Sequence, residues 1–185
     1  MVSLKMEIYN YGTQDNALVI EMKRGESINL KKGSLIFIKG KHAIKPSKEN
    51  SFFLLECLGH CSVGVSMGIG KKEIINVIEP LYINMNNVIG FYNAKYVKLG
   101  KKIIDYNTSM DLIYTREGNY ILSYKGDKLE LRIGNEKVLV DLDNLVLTNG
   151  KIKFIPHKNA VITGEEPLLA EIEGPAIIYL QTITL

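Results

Sequence analysis

The residue types best suited to metal chemistry are scarce here: two cysteines and three histidines in 185 residues. Cys57, His60 and Cys61 stand close together as Cys-x-x-His-Cys. Structural zinc wants four ligands, and no partner cluster accompanies this one. On a strand Cys57 and Cys61 face one way and His60 the other, so the two thiols read as small buried hydrophobes. A metal-binding cupin needs paired histidines and a carboxylate converging on one ion, whereas His42, His60 and His157 each stand alone. No metal and no cofactor are expected.

Other catalytic patterns are equally thin. No Gly-x-Ser-x-Gly elbow presents a nucleophile. Met67-Gly68-Ile69-Gly70-Lys71-Lys72 superficially resembles a phosphate loop but lacks its spacing and its following helix, and reads as a Gly-punctuated crossover. Glu165-Glu166 reads as part of a solvated loop. With no acid/base or nucleophile constellation, no catalytic residue is assigned and the chain is read as non-enzymatic.

Charge is more informative. Lys31–Lys48, Pro80–Ile104 and Asn144–Gly164 contain no Asp or Glu, yet hold 13 of the 23 basic residues. The rest of the chain therefore carries 10 basic and 20 acidic groups. Lys39, Lys41, Lys45, Lys95, Lys98, Lys101, Lys102, Lys151, Lys153 and Lys158 are the candidate anion-binding residues, for lipid headgroups or RNA. A solvated lysine-rich surface is the alternative. Tyr92 and Tyr96 lie in one of these segments and either stack on bases or pack within a sheet.

The elements positioning these lysines are strands. In INLKKGSLIFIKG, Ile28 and Leu30 alternate with polar neighbours, Lys32-Gly33 turns the chain, and Leu35–Ile38 is an apolar run suited to a strand covered on both faces. The pattern returns at Leu81–Phe91 around Asn86-Asn87 and at Val138–Leu147 around Asp143-Asn144. Asn and Asp tolerate the left-handed backbone that glycine adopts freely, so all three corners are expected to share one geometry. Each copy has a back half in which apolar strands flank a glycine: Gly59, Gly118 and Gly174. Lys125-Gly126-Asp127 predicts a hairpin turn. Met6–Tyr11 and Ala17–Met22 read as strands, and no window holds a sustained 3.6-residue period.

The expectation is one all-β domain spanning residues 1–185, in repeats of approximately 15–67, 68–125 and 126–185. No signal sequence and no apolar run of transmembrane length are visible, which predicts a cytoplasmic protein.

Val19-Ile20-Glu21-Met22 and Arg24-Gly25-Glu26-Ser27, followed by Gly33 and Leu35–Gly40, resemble a motif of the "altered inheritance of mitochondria, number twenty-four" family of mitochondrial biogenesis proteins. Arg24 stands where proline is usual. The ending GPAIIYLQTITL, with Leu180-Gln181-Thr182, is also similar. The resemblance implies a double-stranded β-helix, or jelly roll, like that of the tryptophan RNA-binding attenuation protein (TRAP), here built from three repeats about a pseudo-threefold axis. It offers no catalytic residues to carry over. Together these readings predict a non-enzymatic binding or assembly module, homo-oligomeric, acting through protein–protein or anionic membrane-surface contacts. RNA binding through the lysines is the alternative.

Overall fold

The computed structural model describes residues 6–13, 15–99, 111–156 and 168–183. They form β1 (Glu7–Tyr11), β2 (Ala17–Lys23), β3 (Ser27–Lys31), β4 (Leu35–Pro46), β5 (Phe52–Val65), β6 (Lys72–Val77), β7 (Leu81–Asn84) and β8 (Val88–Lys98). There follow β9 (Leu112–Ser123), β10 (Lys128–Ile133), β11 (Lys137–Asp141), β12 (Leu145–Thr148), β13 (Lys151–Pro156), β14 (Leu168–Glu173) and β15 (Ala176–Gln181). Met85–Asn87 is a single 3-10 turn, and no α-helix occurs among the described residues. The fold is all-β.

Two compact units emerge. The first comprises Met1–Asn76, Val88–Ala94 and Gly118–Ser123; the second comprises Val77–Asn87, Lys95–Glu117 and Tyr124–Leu185.

In the first unit the strands run in the order β1-β2-β5-β3-β8, and β4 pairs with β5. β2 and β3 lie end to end along one edge of β5, where Lys23 faces His60 and Ser27 faces Glu56. The corner between them is Arg24-Gly25-Glu26. Gly25 takes φ +87° and Glu26 Oε2 accepts the Lys23 amide at 2.6 Å. The Gly25 amide donates to the Cys57 carbonyl, and the Cys57 amide to the Glu26 carbonyl. The Gly-Glu-Ser motif is thus a strand corner. Leu18, Ile20, Met22, Ile28, Leu30, Leu55, Val63 and Val65 fill the core below it. Each fully buried aliphatic side chain contributes about 1.5–3 kcal/mol.

β4 runs along the other edge of β5 and has no further strand partner among the described residues. The expectation of an apolar run covered on both faces is therefore overturned: Ile36 and Phe37 are 56% and 42% exposed. A register shift between Leu35 and Phe37 adds to this, since an extra residue in a bulge leaves the regular alternation.

In the second unit β9-β7-β12-β15-β10 are neighbours, and β11-β14-β13 form a separate three-stranded sheet. Val140, Leu142, Leu145, Leu168, Ala170, Ile172 and Ile178 make its core. The predicted Lys125–Asp127 hairpin does not form, because β10 pairs with β15, from Lys128↔Gln181 to Ile133↔Ala176. Long-range strand pairing has overridden a local turn signal.

The shared corner geometry also fails. Gly33 has φ +88°, whereas Asn86 sits in the 3-10 turn, and Asn93 is the one non-glycine residue at positive φ among those described. In the later corners the Asn86 amide donates to Asn84 Oδ1 at 3.0 Å and the Asp143 amide to Asp141 Oδ1 at 2.9 Å. A side-chain acceptor two residues back stabilises the turn, so left-handed backbone is not required. Nor does every back-half glycine end a strand. β5 and β9 continue through Gly59 and Gly118, and only Gly174 separates two strands.

Candidate interaction surface

Register places side chains on the outer side of the first unit's sheet in defined rows, because directly opposed residues share a face. One row runs Tyr9–Val19–Gly64–Phe37 across β1, β2, β5 and β4. Tyr9 is 47% exposed and Phe37 42%. Gly64 accommodates the Phe37 ring, which occupies the space a β-carbon would need. The next row runs Glu7–Glu21–Ser62–Lys39. Tyr9 donates its hydroxyl proton to Glu7 at 3.0 Å, a bond that raises the phenol's pKa. The alternate rows, such as Ile8–Ile20–Val63–Ile38, face the core. An apolar band thus lies beside a row that is acidic at its β1 end and basic at its β4 end.

The predicted basic residues meet different surroundings. Lys45 is bound to Glu56, and Lys95 lies 2.7 Å from Glu117, which raises its pKa through hydrogen bonding and charge. Lys151 and Lys153 lie opposite Glu173 and Glu171, and Lys137 approaches Glu171 at 3.1 Å. Lys98 is exposed at the end of β8. Lys39 and Lys41 are exposed on β4 without a described ion pair. Lys101, Lys102 and Lys158, with His157 and Glu165-Glu166, lie outside the described residues. Acid-free stretches of sequence therefore acquire glutamates from neighbouring strands. Tyr92 is 6% exposed and packs in the core, with burial and then Glu26 raising its pKa, while Tyr96 is half-buried.

Cys57 and Cys61 are both buried and His60 is exposed, as the strand alternation predicted. The Cys57 thiol donates to the Met22 carbonyl at 3.4 Å and the Cys61 thiol to the Lys41 carbonyl at 3.1 Å. Burial, then the Cys57 hydrogen bond, pushes the Cys61 thiol up to about 11. A thiol so raised is a poor nucleophile.

Sequence reasoning missed three buried polar anchors. Lys72 donates to the Gly68 and Gly70 carbonyls at 2.9 and 2.7 Å, and desolvation lowers its pKa against the opposing pull of Asp15. Asn16 clamps the Lys72 backbone by accepting from its amide at 2.5 Å and donating to its carbonyl at 2.8 Å. Gln181 accepts from Asn87 Nδ2 at 2.7 Å and from the Lys125 amide at 3.1 Å, while its Nε2 donates to the Asp143 carbonyl at 2.7 Å. The Leu-Gln-Thr ending was the available signal, and its role is to tie corners together.

An all-β chain with a corner-forming Gly-Glu-Ser segment and a buried glutamine in its last strand defines a structural class before any ligand is considered. The family model described as "Mitochondrial biogenesis AIM24" matches residues 9–183, and the chain belongs to that family. No curated protein matches it. Its fold is similar to the crystal structure of a Streptococcus pyogenes protein, with a TM-score of 0.83 at 12% identity, covering 97% of this chain and 94% of that one.

Proposed function

We propose that the chain is a non-enzymatic assembly module that pairs with a second copy of itself through the outer face of β1-β2-β5-β4. The observation carrying this reading is the Tyr9–Val19–Gly64–Phe37 row, exposed at Tyr9 and Phe37, beside the Glu7–Glu21–Ser62–Lys39 row. A twofold axis lying between two such faces, parallel to the strands, reverses strand order while keeping rows in register. Tyr9 of one copy then meets Phe37 of the other, and Glu7 meets Lys39. The end residues of the two rows are thus self-complementary, aromatic to aromatic and acid to base, as an isologous contact requires.

A three-copy β architecture belongs to this reading. It is supported by a recurring order in which the front and middle strands of each copy both flank its back strand: β3-β5-β4, β7-β9-β8 and β11-β14-β13. Lysine-to-glutamate pairing onto that back strand also recurs, as Lys45–Glu56, Lys95–Glu117 and Lys137–Glu171. The anionic-partner reading draws on Lys39 and Lys41.

Light scattering on the eluting protein tests the assembly. A dimer is expected, with Tyr9→Ser/Phe37→Ser shifting it to monomer. Lys39→Glu alone weakens the dimer, and adding Glu7→Lys restores it. A monomeric parent protein, or a dimer indifferent to these changes, overturns the proposal.

A further inference from the structure

β4 offers a second surface, its open backbone edge, which shares Lys39 with the face-to-face contact. Its backbone pairs with β5 on one side only among the described residues. An unpaired edge presents amide and carbonyl groups to an incoming extended chain. The side chains along it are basic: Lys39, Lys41 and Lys45, with no acid between Leu35 and Pro46. Lys45 is engaged by Glu56, while Lys39 and Lys41 stand exposed. At the C-terminal end of β4 a shallow groove of about 420 Å³ is lined by Ile44, Pro46, Phe52, Phe53 and Lys32, among others. Ile44 there is 54% exposed.

We infer that β4 and this groove form a binding site for an acidic extended peptide, which adds antiparallel to β4 and seats an apolar N-terminal residue on Ile44 and Phe53. Carboxylates of the peptide meet Lys39 and Lys41, which flank Gly40 where the β4–β5 register shifts. The groove supplies the apolar anchor that main-chain pairing alone lacks. A second copy is the poorer occupant of this edge, because antiparallel β4 pairing would bring like charges together. RNA and anionic membranes satisfy the lysines but neither the unpaired main chain nor the apolar groove.

This inference rests on the chain being a binding module; it shares Lys39 with the self-pairing contact but not Tyr9 or Phe37. Fluorescence anisotropy with a labelled peptide of about eight residues, Leu at its N-terminus and Glu alternating with Val, tests it. Saturable binding is expected, weakened about tenfold by Lys41→Glu, which lies outside the self-pairing rows, and comparably by Ile44→Asp. The same peptide N-methylated on alternate amides should lose binding, because strand addition needs those donors. Circular dichroism of each variant checks the fold. Equal binding of methylated and unmethylated peptides overturns the inference, as does absence of binding or stronger retention of a single-stranded RNA or of anionic vesicles. Tyr9→Ser/Phe37→Ser should still bind the peptide, so failure of the self-pairing reading and failure of this one are separately visible.

Discussion

Replacing Gln181 by methionine keeps the side-chain volume nearly constant and removes three polar contacts. Its residue is 4% exposed, and its amide is shared by Asn87 Nδ2, the Lys125 amide and the Asp143 carbonyl. Each net hydrogen bond contributes about 1 kcal/mol, and a buried partner left unsatisfied costs about 1–3 kcal/mol. Lys125 and Asp143 lie at partly buried positions where water can reach them, which holds the total near the lower end. We therefore expect a loss of about 3 kcal/mol, or a fall of about 6–12 °C in Tm for a chain of this size. Urea unfolding followed by circular dichroism measures it, with Asn87→Leu and the double variant completing a cycle. Because Asn87 donates directly to Gln181, the two single losses should exceed the double loss by about 1 kcal/mol. A Gln181→Met loss below about 1 kcal/mol, or strict additivity, would refute the picture of Gln181 as the tie between corners.

Two glycines with similar backbone angles should respond very differently to alanine. Gly33 at φ +88° faces open space, so Gly33→Ala costs only left-handed strain of about 1–2 kcal/mol. At Gly40, φ +106°, a β-carbon would fall on the His60 carbonyl, so Gly40→Ala should lose clearly more in the same denaturation assay; equal losses would contradict the β4–β5 crossing. The Cys61 thiol makes stability pH-dependent at the alkaline end. Its folded pKa of about 11 lies above the ordinary thiol value of 9.0, so the unfolded chain loses its proton first and stability falls between those values. The loss amounts to about 2 kcal/mol by pH 11, read as the difference between the parent protein and Cys61→Ala, and parallel pH curves would exclude it. Iodoacetamide should leave both cysteines unmodified in the native protein and label both in urea; native labelling would disprove their burial.

Local chemistry made much of this protein legible from its residues. Met6–Tyr11 and Ala17–Met22 read as strands and are β1 and β2, and strand alternation predicted Cys57 and Cys61 on one side with His60 on the other. The Gly-Glu-Ser and Leu-Gln-Thr segments placed the chain in its family, because both are short motifs at strand corners and ends. What lay beyond the sequence was the identity of each strand's neighbour. Ile36 and Phe37 look like core residues until β4 proves to be an edge, and Lys45 and Lys95 look like a free basic face until Glu56 and Glu117 arrive on adjacent strands. The Lys125–Asp127 turn signal gave way to a β10–β15 pairing that spans roughly fifty positions of chain. Residue type and period decide which way a side chain points from its own strand. Only the long-range hydrogen-bonding order of the sheet decides what stands beside it, and therefore whether it is core, ion pair or open surface.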